Sequence, residues 1–237
     1  MKAVILAGGK GTRARPFTDY FPKALMPIHG KPLISHIVEH LSSFKMISEI
    51  VIVADLKGLG NQIAHYFGKN EAKKLSFVQD SSSGTAGDLV HLDMKKGEPF
   101  VLWFADNLCA LDVQKMYRHY TKKNSLACIA TRQYRKEETG FANVKDGNVM
   151  QFIEKPLVKM QDCECTGIYI LSGKILDMIK KSKKRNLNLS YDILQDLSKK
   201  GLVSSFDIGK TLWVDVESPT VLERKGQDVR KIISQMG

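Results

Sequence analysis

A chain of 237 residues with 43% hydrophobic and 26% charged residues can bury a large core, and we expect one globular domain over residues 1–237. No apolar run approaches the ~20 residues of a membrane-spanning helix, and residues 1–9 end on glycines without a signal-peptide layout. We therefore expect a cytoplasmic protein with no membrane partner. The net charge of +11 favours anionic ligands. The basic patches at 180–185 and 199–200 contain no aromatic residues, so we expect no nucleic-acid partner.

The first half of the chain alternates short apolar runs with amphipathic stretches. The predicted elements are strands at 3–7, 49–54, 75–79 and 100–105, and helices at 32–44, 56–67 and 85–95. Continuous apolar strands separated by helices indicate an α/β fold with a parallel sheet covered on both faces. Ligands of such sheets bind at the carboxyl ends of the strands, in the loops that follow.

The second half is more mixed, and we divide the domain near residue 110, into halves of about 1–110 and 111–237. The predicted strands are 126–132, 149–154, 166–171 and 212–216, with a hairpin turn at 145–148, and the predicted helices are 172–181, 190–199 and 219–234. Ser218 and Pro219 suit the cap and first position of the last helix. No linker, repeat or low-complexity segment interrupts the chain.

The strongest motif directly follows the first predicted strand. It reads Leu6-Ala7-Gly8-Gly9-Lys10-Gly11-Thr12-Arg13, and Pro22-Lys23-Ala24-Leu25-Met26-Pro27 follows it. Glycines in such a loop let backbone N–H groups approach a polyphosphate with no side chain in the way. The spacing matches neither the P-loop nor the dinucleotide fingerprint. Arg13 and Lys23 add two cations on the same stretch.

This string closely resembles the signature of the sugar-1-phosphate nucleotidyltransferases, the enzymes that make NDP-sugars. The resemblance implies a Rossmann-like mixed, mostly parallel sheet flanked by helices, in one nucleotidyltransferase domain. It implies that the loop wraps a nucleoside triphosphate, with nucleotide contacts from Leu6, Ala7, Gly8, Gly9, Gly11 and Thr12. It also implies catalytic roles for Arg13 on the leaving phosphates and for Lys23 on the reacting phosphate.

Further segments match the family in the family's own order. Gln79 and the segment 83–87 resemble the part that reads the base, which implies contacts from Gln79, Gly84 and Thr85. The segments 104–107 and 213–215 resemble the family's metal motifs and imply that Asp106, also catalytic, and Asp215 hold Mg²⁺. Glu154-Lys155-Pro156 resembles the sugar-phosphate motif. The resemblance implies sugar-phosphate contacts from Asn107, Gly140, Glu154, Lys155 and Thr166.

Some positions depart from the family pattern. Ala105 replaces a glycine before the metal aspartate, and Ala14-Arg15 stands where a leucine is usual. Glu217-Ser218 replaces the common Gly-Thr after the second aspartate, so the sugar-phosphate side of the site can differ. Gly140 lies in a segment that matches the family only loosely.

The residue types suit phosphoryl chemistry without a nucleophilic side chain. A sugar phosphate is already an anion, so catalysis needs in-line positioning and neutralisation of charge on the transferring group. Mg²⁺ prefers oxygen ligands, typically one or two carboxylates plus phosphate oxygens and water. Asp106 and Asp215, which come from separate strand ends, suit that role.

The substrate expectation is dTTP or UTP with a hexose 1-phosphate, most simply glucose 1-phosphate. It rests on Gln79, whose amide can pair with the imide edge of uracil or thymine. The alternatives are GTP with mannose 1-phosphate, a cytidylyltransferase for a phospho-alcohol, and a catalytically silent regulatory paralogue that binds nucleotide sugars. The expected partners are a nucleoside triphosphate and a sugar 1-phosphate, and formation of a homo-oligomer stays open.

Overall fold

The computed structural model describes residues 1–68, 75–95 and 97–236. The strands are β1 (Lys2–Leu6), β2 (Pro27–Ile28), β3 (Lys31–Pro32), β4 (Glu49–Ala54), β5 (Leu75–Gln79), β6 (Phe100–Phe104), β7 (Asn107–Cys109), β8 (Ala127–Lys136), β9 (Phe141–Lys145), β10 (Asn148–Ile153), β11 (Leu157–Leu171), β12 (Val203–Asp207) and β13 (Trp213–Asp215). The helices are α1 (Leu33–Ser43), α2 (Asn61–Phe67), α3 (Gly84–Gly87), α4 (Val113–Lys123), α5 (Gly173–Lys181), α6 (Gln195–Lys199) and α7 (Pro219–Met236), and a π-helical turn at Leu189–Leu194 leads into α6.

Seven strands form the central sheet, in the order β12-β8-β11-β6-β1-β4-β5. β1 lies between β6 and β4 and pairs in parallel with both, and β5 extends the parallel set at one edge. β11 runs antiparallel to its neighbours β6 and β8, while β12 pairs in parallel with β8. The prediction of an α/β fold with a mixed, mostly parallel sheet is confirmed.

The two faces of the sheet bury separate cores, which explains the continuous apolar strands. Ile5 and Trp103 point into the core that contains α1 and α7, whereas Val4 and Leu102 point into the core that contains α5 and the 187–197 segment. All four of these side chains are fully buried. Adjacent residues of one strand therefore face opposite cores, so the strand is apolar on both sides.

The predicted helix at 85–95 is wrong in extent, because only α3 forms there. The backbone amides of Ala86 and Gly87 donate to the Leu187 carbonyl oxygen at 2.9 and 3.2 Å. Gly84 has φ +86°, and an added Cβ would lie 2.6 Å from the Leu187 oxygen. Tertiary packing against Leu187 thus sets the local backbone, and helix propensity does not.

The predicted helix at 56–67 is also shorter than expected and begins at Asn61. Gly58 and Gly60 wrap tightly around Asp55, and an added Cβ on Gly60 would lie 2.7 Å from the Asp55 backbone nitrogen. Sequence analysis missed α4 and β12. The Asp112 side chain caps α4 by accepting from the Lys115 amide at 2.9 Å.

The strands β8 and β11 continue beyond their predicted bounds and carry a hairpin of β9 and β10 out of the central sheet. β9 and β10 pair with each other in a separate two-stranded sheet. Asp146 and Gly147 form the predicted turn with φ +49° and +79°, the signs that a tight hairpin turn requires. All residues of both strands are exposed.

No helix in the described ranges 1–68, 75–95 and 97–236 is long and apolar enough to cross a membrane. The single-domain assignment and its division near residue 110 remain predictions.

Candidate active site at the carboxyl ends of the central strands

The candidate site begins where β1, β4 and β6 end side by side. The Ala7 amide donates to the Val53 carbonyl at 2.8 Å, and the Ala105 amide donates to the Leu6 carbonyl at 3.0 Å. These bonds extend the ladder by one residue past β1 and past β6. The glycine loop and the Asp106 turn therefore leave the sheet from adjacent positions at its carboxyl edge.

The glycine loop approaches other groups closely on one side and is open on the other. An added Cβ on Gly8 would overlap the Asp80 carboxylate, whereas an added Cβ on Gly9 would meet nothing within 4 Å. Gly11 has φ +59°, and its carbonyl accepts from the Thr18 hydroxyl at 2.9 Å. Thr12 begins a 3₁₀ turn, Thr12–Ala14. The open side at Gly9 gives an anion access to backbone groups.

Each of the two predicted cations forms an ion pair with a carboxylate. Lys23 lies in the turn Lys23–Leu25, and its Nζ is 2.6 Å from Asp106 Oδ2, with both side chains largely shielded from solvent. Arg13 pairs with Glu217 at the surface. Glu217, which departs from the family pattern, thus holds the arginine predicted to bind the leaving phosphates.

The pairing of β7 with β13 joins the two predicted metal ligands. Asp215 lies opposite Asn107 in this antiparallel ladder. The Val216 amide donates to the Asp106 carbonyl at 2.7 Å, which continues the ladder past both aspartates. Asp106 and Asp215 are therefore neighbours at one strand end, although they lie far apart in the sequence.

Asp215 lies in an environment that disfavours its charge. Burial, followed by the negative charge of Asp106, raises the pKa of Asp215 to about 6, while the Lys23 cation acts in the opposite direction. Asp215 Oδ1 is buried and has no hydrogen-bond partner among the described residues. A buried carboxylate oxygen of this kind is satisfied by a cation, a proton or a bound water molecule.

The side-chain amide of Asn107 helps to position the Asp106 carboxylate. Its Nδ2 donates to Asp106 Oδ1 at 2.8 Å, and its Oδ1 accepts from Trp213 Nε1 at 3.0 Å. The Trp213 indole also donates to the Thr166 carbonyl at 2.8 Å. Gly167, with φ +73°, allows this arrangement, because an added Cβ would lie 2.6 Å from the Asn107 amide nitrogen. Asn107, predicted to contact the sugar phosphate, is thus a link between the Asp106 carboxylate and the Trp213 indole.

The predicted sugar-side residues lie on two different parts of the fold. Glu154 and Lys155 follow β10 and are exposed, and Lys155 has φ +48°. Gly140 lies beside them, because an added Cβ would meet the Phe152 ring and lie 2.9 Å from Glu154 Oε2. Thr166 is fully buried, and its hydroxyl donates to the Ala130 carbonyl at 2.9 Å within the sheet.

The predicted base-reading residues are held by bonds within the protein. Gln79 Nε2 donates to the Asp80 carbonyl at 2.9 Å and to Asp55 Oδ1 at 3.3 Å. Thr85 Oγ1 accepts from the Leu189 amide at 3.0 Å. The Gln79 amide is therefore fixed with its nitrogen towards protein acceptors, and its carbonyl oxygen forms no hydrogen bond with residues 1–68, 75–95 or 97–236.

A pair of carboxyl groups under the glycine loop escaped the sequence analysis. Asp80 is buried beside Gly8, and its Oδ1 accepts from the Ser82 amide at 2.5 Å. Asp88 accepts from the Ser81 hydroxyl at 2.9 Å. Burial, followed by a hydrogen bond with Asp80, raises the pKa of Asp88 to about 6. Two acids flanking a run of three serines, at 80–88, were the available sequence signal.

The carboxylates at the centre fit a magnesium ion. Among residues 1–68, 75–95 and 97–236, no group of three His, Cys, Asp or Glu side chains forms a metal cluster. Mg²⁺ commonly takes only one or two protein carboxylates and completes its shell with phosphate oxygens and water. Asp106 and Asp215 supply two such groups, and the unpartnered Oδ1 of Asp215 is the atom that a cation would satisfy.

The sequence profile described as nucleotidyl transferase matches residues 2–231. The chain belongs to the nucleotidyl transferase family. Similar relatives include a mannose-1-phosphate guanyltransferase beta-B from Xenopus laevis, 26% identical over 92% of this chain and 62% of its own length. A mannose-1-phosphate guanyltransferase from Yarrowia lipolytica is 29% identical over 92% of this chain and 61% of its own length. This chain thus spans less than two thirds of these relatives.

Similar solved structures cover nearly the whole chain. One is from Bacillus anthracis, provisionally named a glucose-1-phosphate thymidylyltransferase, with a TM-score of 0.74, 24% identity, and 97% of this chain and 95% of that chain covered. Another is HddC from Yersinia pseudotuberculosis, with a TM-score of 0.70, 22% identity, and 100% and 99% of the two chains covered. At these identities the structural similarity establishes the fold alone. It is the fold that the resemblance to the sugar-1-phosphate nucleotidyltransferases implied.

We predict that Asp88→Asn raises the melting temperature at pH 8. The raised pKa means that the folded state binds a proton more tightly than the unfolded state. The contribution of protonated Asp88 to the free energy of unfolding is therefore present in full below its ordinary pKa of 3.8. This contribution is lost as the pH rises towards about 6. Asparagine keeps an oxygen for the Ser81 hydroxyl and carries no charge.

The measurement is thermal unfolding of wild type and variant between pH 4 and pH 8. The difference in melting temperature should grow between about pH 4 and pH 6 and then stay constant. Asp162→Asn, at an exposed strand position, is the matched control and should show no such growth. A difference that is constant over the whole range would contradict the assignment of the buried carboxyl pair.

Proposed function

We propose that this protein transfers a nucleoside monophosphate from a nucleoside triphosphate to a sugar 1-phosphate and releases pyrophosphate. The observation that carries the proposal is the meeting of Asp106, Asp215 and Lys23 beside the open glycine loop. Family membership and the names of the relatives support the same reaction class. A catalytically silent paralogue would have no chemical need for all of these charged groups together.

In the proposed reaction, an oxygen of the sugar phosphate attacks the α-phosphorus, and the bond from that phosphorus to the pyrophosphate oxygen breaks. The attacking group is already an anion, so no side chain has to remove a proton. Backbone amides of the glycine loop would bind the β- and γ-phosphates. Lys23 would offset charge on the α-phosphate, and Arg13, once released from Glu217, would bind the departing pyrophosphate.

Asp106 and Asp215 would hold Mg²⁺ in this reaction. The ion, when bound, would neutralise negative charge on the phosphate oxygens and help to orient them. A carboxylate must lose its proton to bind a metal, so Asp215, whose pKa is raised, would bind the ion only in its deprotonated form. Asn107 would keep the Asp106 carboxylate in position through its bond to Oδ1.

The first test replaces the two carboxylates separately. Asp106→Asn and Asp215→Asn should each reduce pyrophosphate release by roughly 10²–10³-fold, because each removes a preorganised charge from the reacting centre. The assay measures pyrophosphate released from a triphosphate in the presence of a sugar 1-phosphate and Mg²⁺. A parallel Mn²⁺ titration followed by electron paramagnetic resonance should show weaker binding in both variants.

Asp112→Asn is the matched control, since asparagine keeps the helix cap that Asp112 provides for α4. It should retain wild-type activity and metal binding. Wild-type rates from either active-site variant would overturn the metal assignment. Absence of pyrophosphate release from the wild-type protein with every triphosphate and sugar 1-phosphate would favour the silent paralogue.

For the nucleotide, we propose GTP, with mannose 1-phosphate as the acceptor. The Gln79 nitrogen donates to Asp80 and Asp55, so the amide offers a base an acceptor and not the donor–acceptor pair on which the pyrimidine expectation rests. The N1–H of guanine and the N3–H of uracil or thymine suit this acceptor equally. The names of the relatives then favour guanine and mannose. The expectation of dTTP or UTP with glucose 1-phosphate is not confirmed.

The second test is a competition among GTP, dTTP, UTP, CTP and ATP with mannose 1-phosphate and with glucose 1-phosphate. We expect the highest kcat/KM for GTP, and a smaller preference in Gln79→Ala, because a lost hydrogen bond costs ~1 kcal/mol or more. Gln195→Ala, at an exposed position of α6, is the control and should keep the preference. A clear preference for dTTP or UTP would restore the pyrimidine reading and leave the reaction class intact.

A further inference from the structure

A cavity of about 1250 Å³ adjoins the candidate active site. It lies between the end of β8, the base of the β9–β10 hairpin, the 209–214 segment and α7. Trp213 and Lys155 belong to its lining, so it is continuous with the proposed sugar-phosphate side. Pockets for small molecules usually measure ~300–1,000 Å³, so this one has room beyond a hexose 1-phosphate.

The wall that the cavity shares with the catalytic centre is fixed. The Trp213 indole donates to the Asn107 side chain and to the Thr166 carbonyl, and the Arg132 guanidinium lies over its ring at 4.4 Å from the centroid. Arg132 in turn pairs with Glu164 at 2.6 Å. A ligand that contacts Trp213 thus meets an indole whose N–H edge is hydrogen-bonded and whose one face is covered by Arg132.

The cavity is strongly positive, since among the described residues seven cationic and three acidic side chains line it. Its arginines are already paired, Arg135 with Glu137 at 2.9 Å and Arg224 with Glu138 at 2.8 Å, in addition to the Arg132 pair. The remaining acid, Asp228, can offset one further charge. The positive excess therefore resides on lysines.

Four lysines of the cavity, Lys136, Lys155, Lys210 and Lys225, form no ion pair with the residues of 1–68, 75–95 and 97–236. Lys155 belongs to the motif that matches the family's sugar-phosphate segment. The other three come from β8, from the segment before β13 and from α7. One reacting phosphate does not account for four lysines that line one cavity from four segments, because like charges repel unless an anion separates them.

We propose that the site accepts mannose 1-phosphate but prefers a hexose 1-phosphate that carries a second anionic group, a phosphate or a carboxylate, distant from C1. Lys136, Lys210 and Lys225 bind that second group, while Lys155 lies towards the reacting phosphate. The inference rests on the proposed function and specifies its acceptor class. Mannose 1-phosphate is then a substrate that leaves part of the cavity empty.

The experiment compares three acceptors of one configuration: a hexose 1-phosphate, the hexose 1,6-bisphosphate and the hexuronic acid 1-phosphate. Pyrophosphate release is measured at low ionic strength with the preferred triphosphate. At least one of the two acceptors with a second anionic group should give kcat/KM about tenfold higher or more, since charged hydrogen bonds are strong. A higher kcat/KM for the bisphosphate indicates a phosphate subsite, and a higher kcat/KM for the hexuronic acid 1-phosphate indicates a carboxylate subsite. Added KCl should reduce the advantage.

The triple variant Lys136→Gln, Lys210→Gln, Lys225→Gln should bring the ratio between the second-anion acceptor and the plain hexose 1-phosphate close to one. The matched control, Lys183→Gln, Lys199→Gln, Lys200→Gln, removes three exposed lysines elsewhere and should keep the wild-type ratio. A wild-type ratio near one with good turnover of plain hexose 1-phosphate overturns this inference alone, as does an unchanged ratio in the triple variant. Failure of every acceptor overturns the proposed function and this inference with it.

Discussion

The antiparallel pairing of β7 with β13 forces two carboxylates into one partly buried corner of the protein. Asp215 lies opposite Asn107 in that ladder, and Asp106 precedes Asn107 directly. Loss of hydration, followed by repulsion from Asp106, opposes ionisation of Asp215, whose pKa rises to about 6. Lys23 offsets part of this cost at 2.6 Å from Asp106. The proposed binding of a cation and its phosphates would relieve the repulsion in this corner.

The sheet topology explains why the corner lies beside the glycine loop. β1 lies between β6 and β4, so the loop after β1 and the turn after β6 leave the same edge at adjacent positions. β11 runs in the opposite direction beside β6 and brings Thr166 and Gly167 against Asn107 and Trp213. Substrate binding would thus depend on contacts between segments that are distant in the sequence and rigidly connected by the sheet.

Sequence reasoning predicted the parts whose pattern is local. The apolar runs of β1 and β4 identify buried parallel strands, because both faces of the sheet are covered. The residues that the resemblance grouped at the centre, Lys23, Asp106 and Asp215, lie together in the structure. The segment at 85–95 was mispredicted because the backbone after α3 continues in three-residue turns, with the Leu89 amide donating to Ala86 and the Val90 amide to Gly87, while the distant Leu187 carbonyl holds the start of α3. The Arg13–Glu217 contact is likewise set by tertiary approach, which no local pattern reports.

The central claim is that the chain moves the nucleotidyl group itself, and following the α-phosphorus tests it most directly. The purified protein is incubated with α-³²P-labelled GTP, Mg²⁺ and a sugar 1-phosphate, and the products are separated. We expect the label in a nucleoside diphosphate sugar, with one pyrophosphate released for each labelled product and none without the sugar phosphate. Label that stays in GTP, or that appears in GMP or GDP whether or not the sugar phosphate is present, would contradict the account.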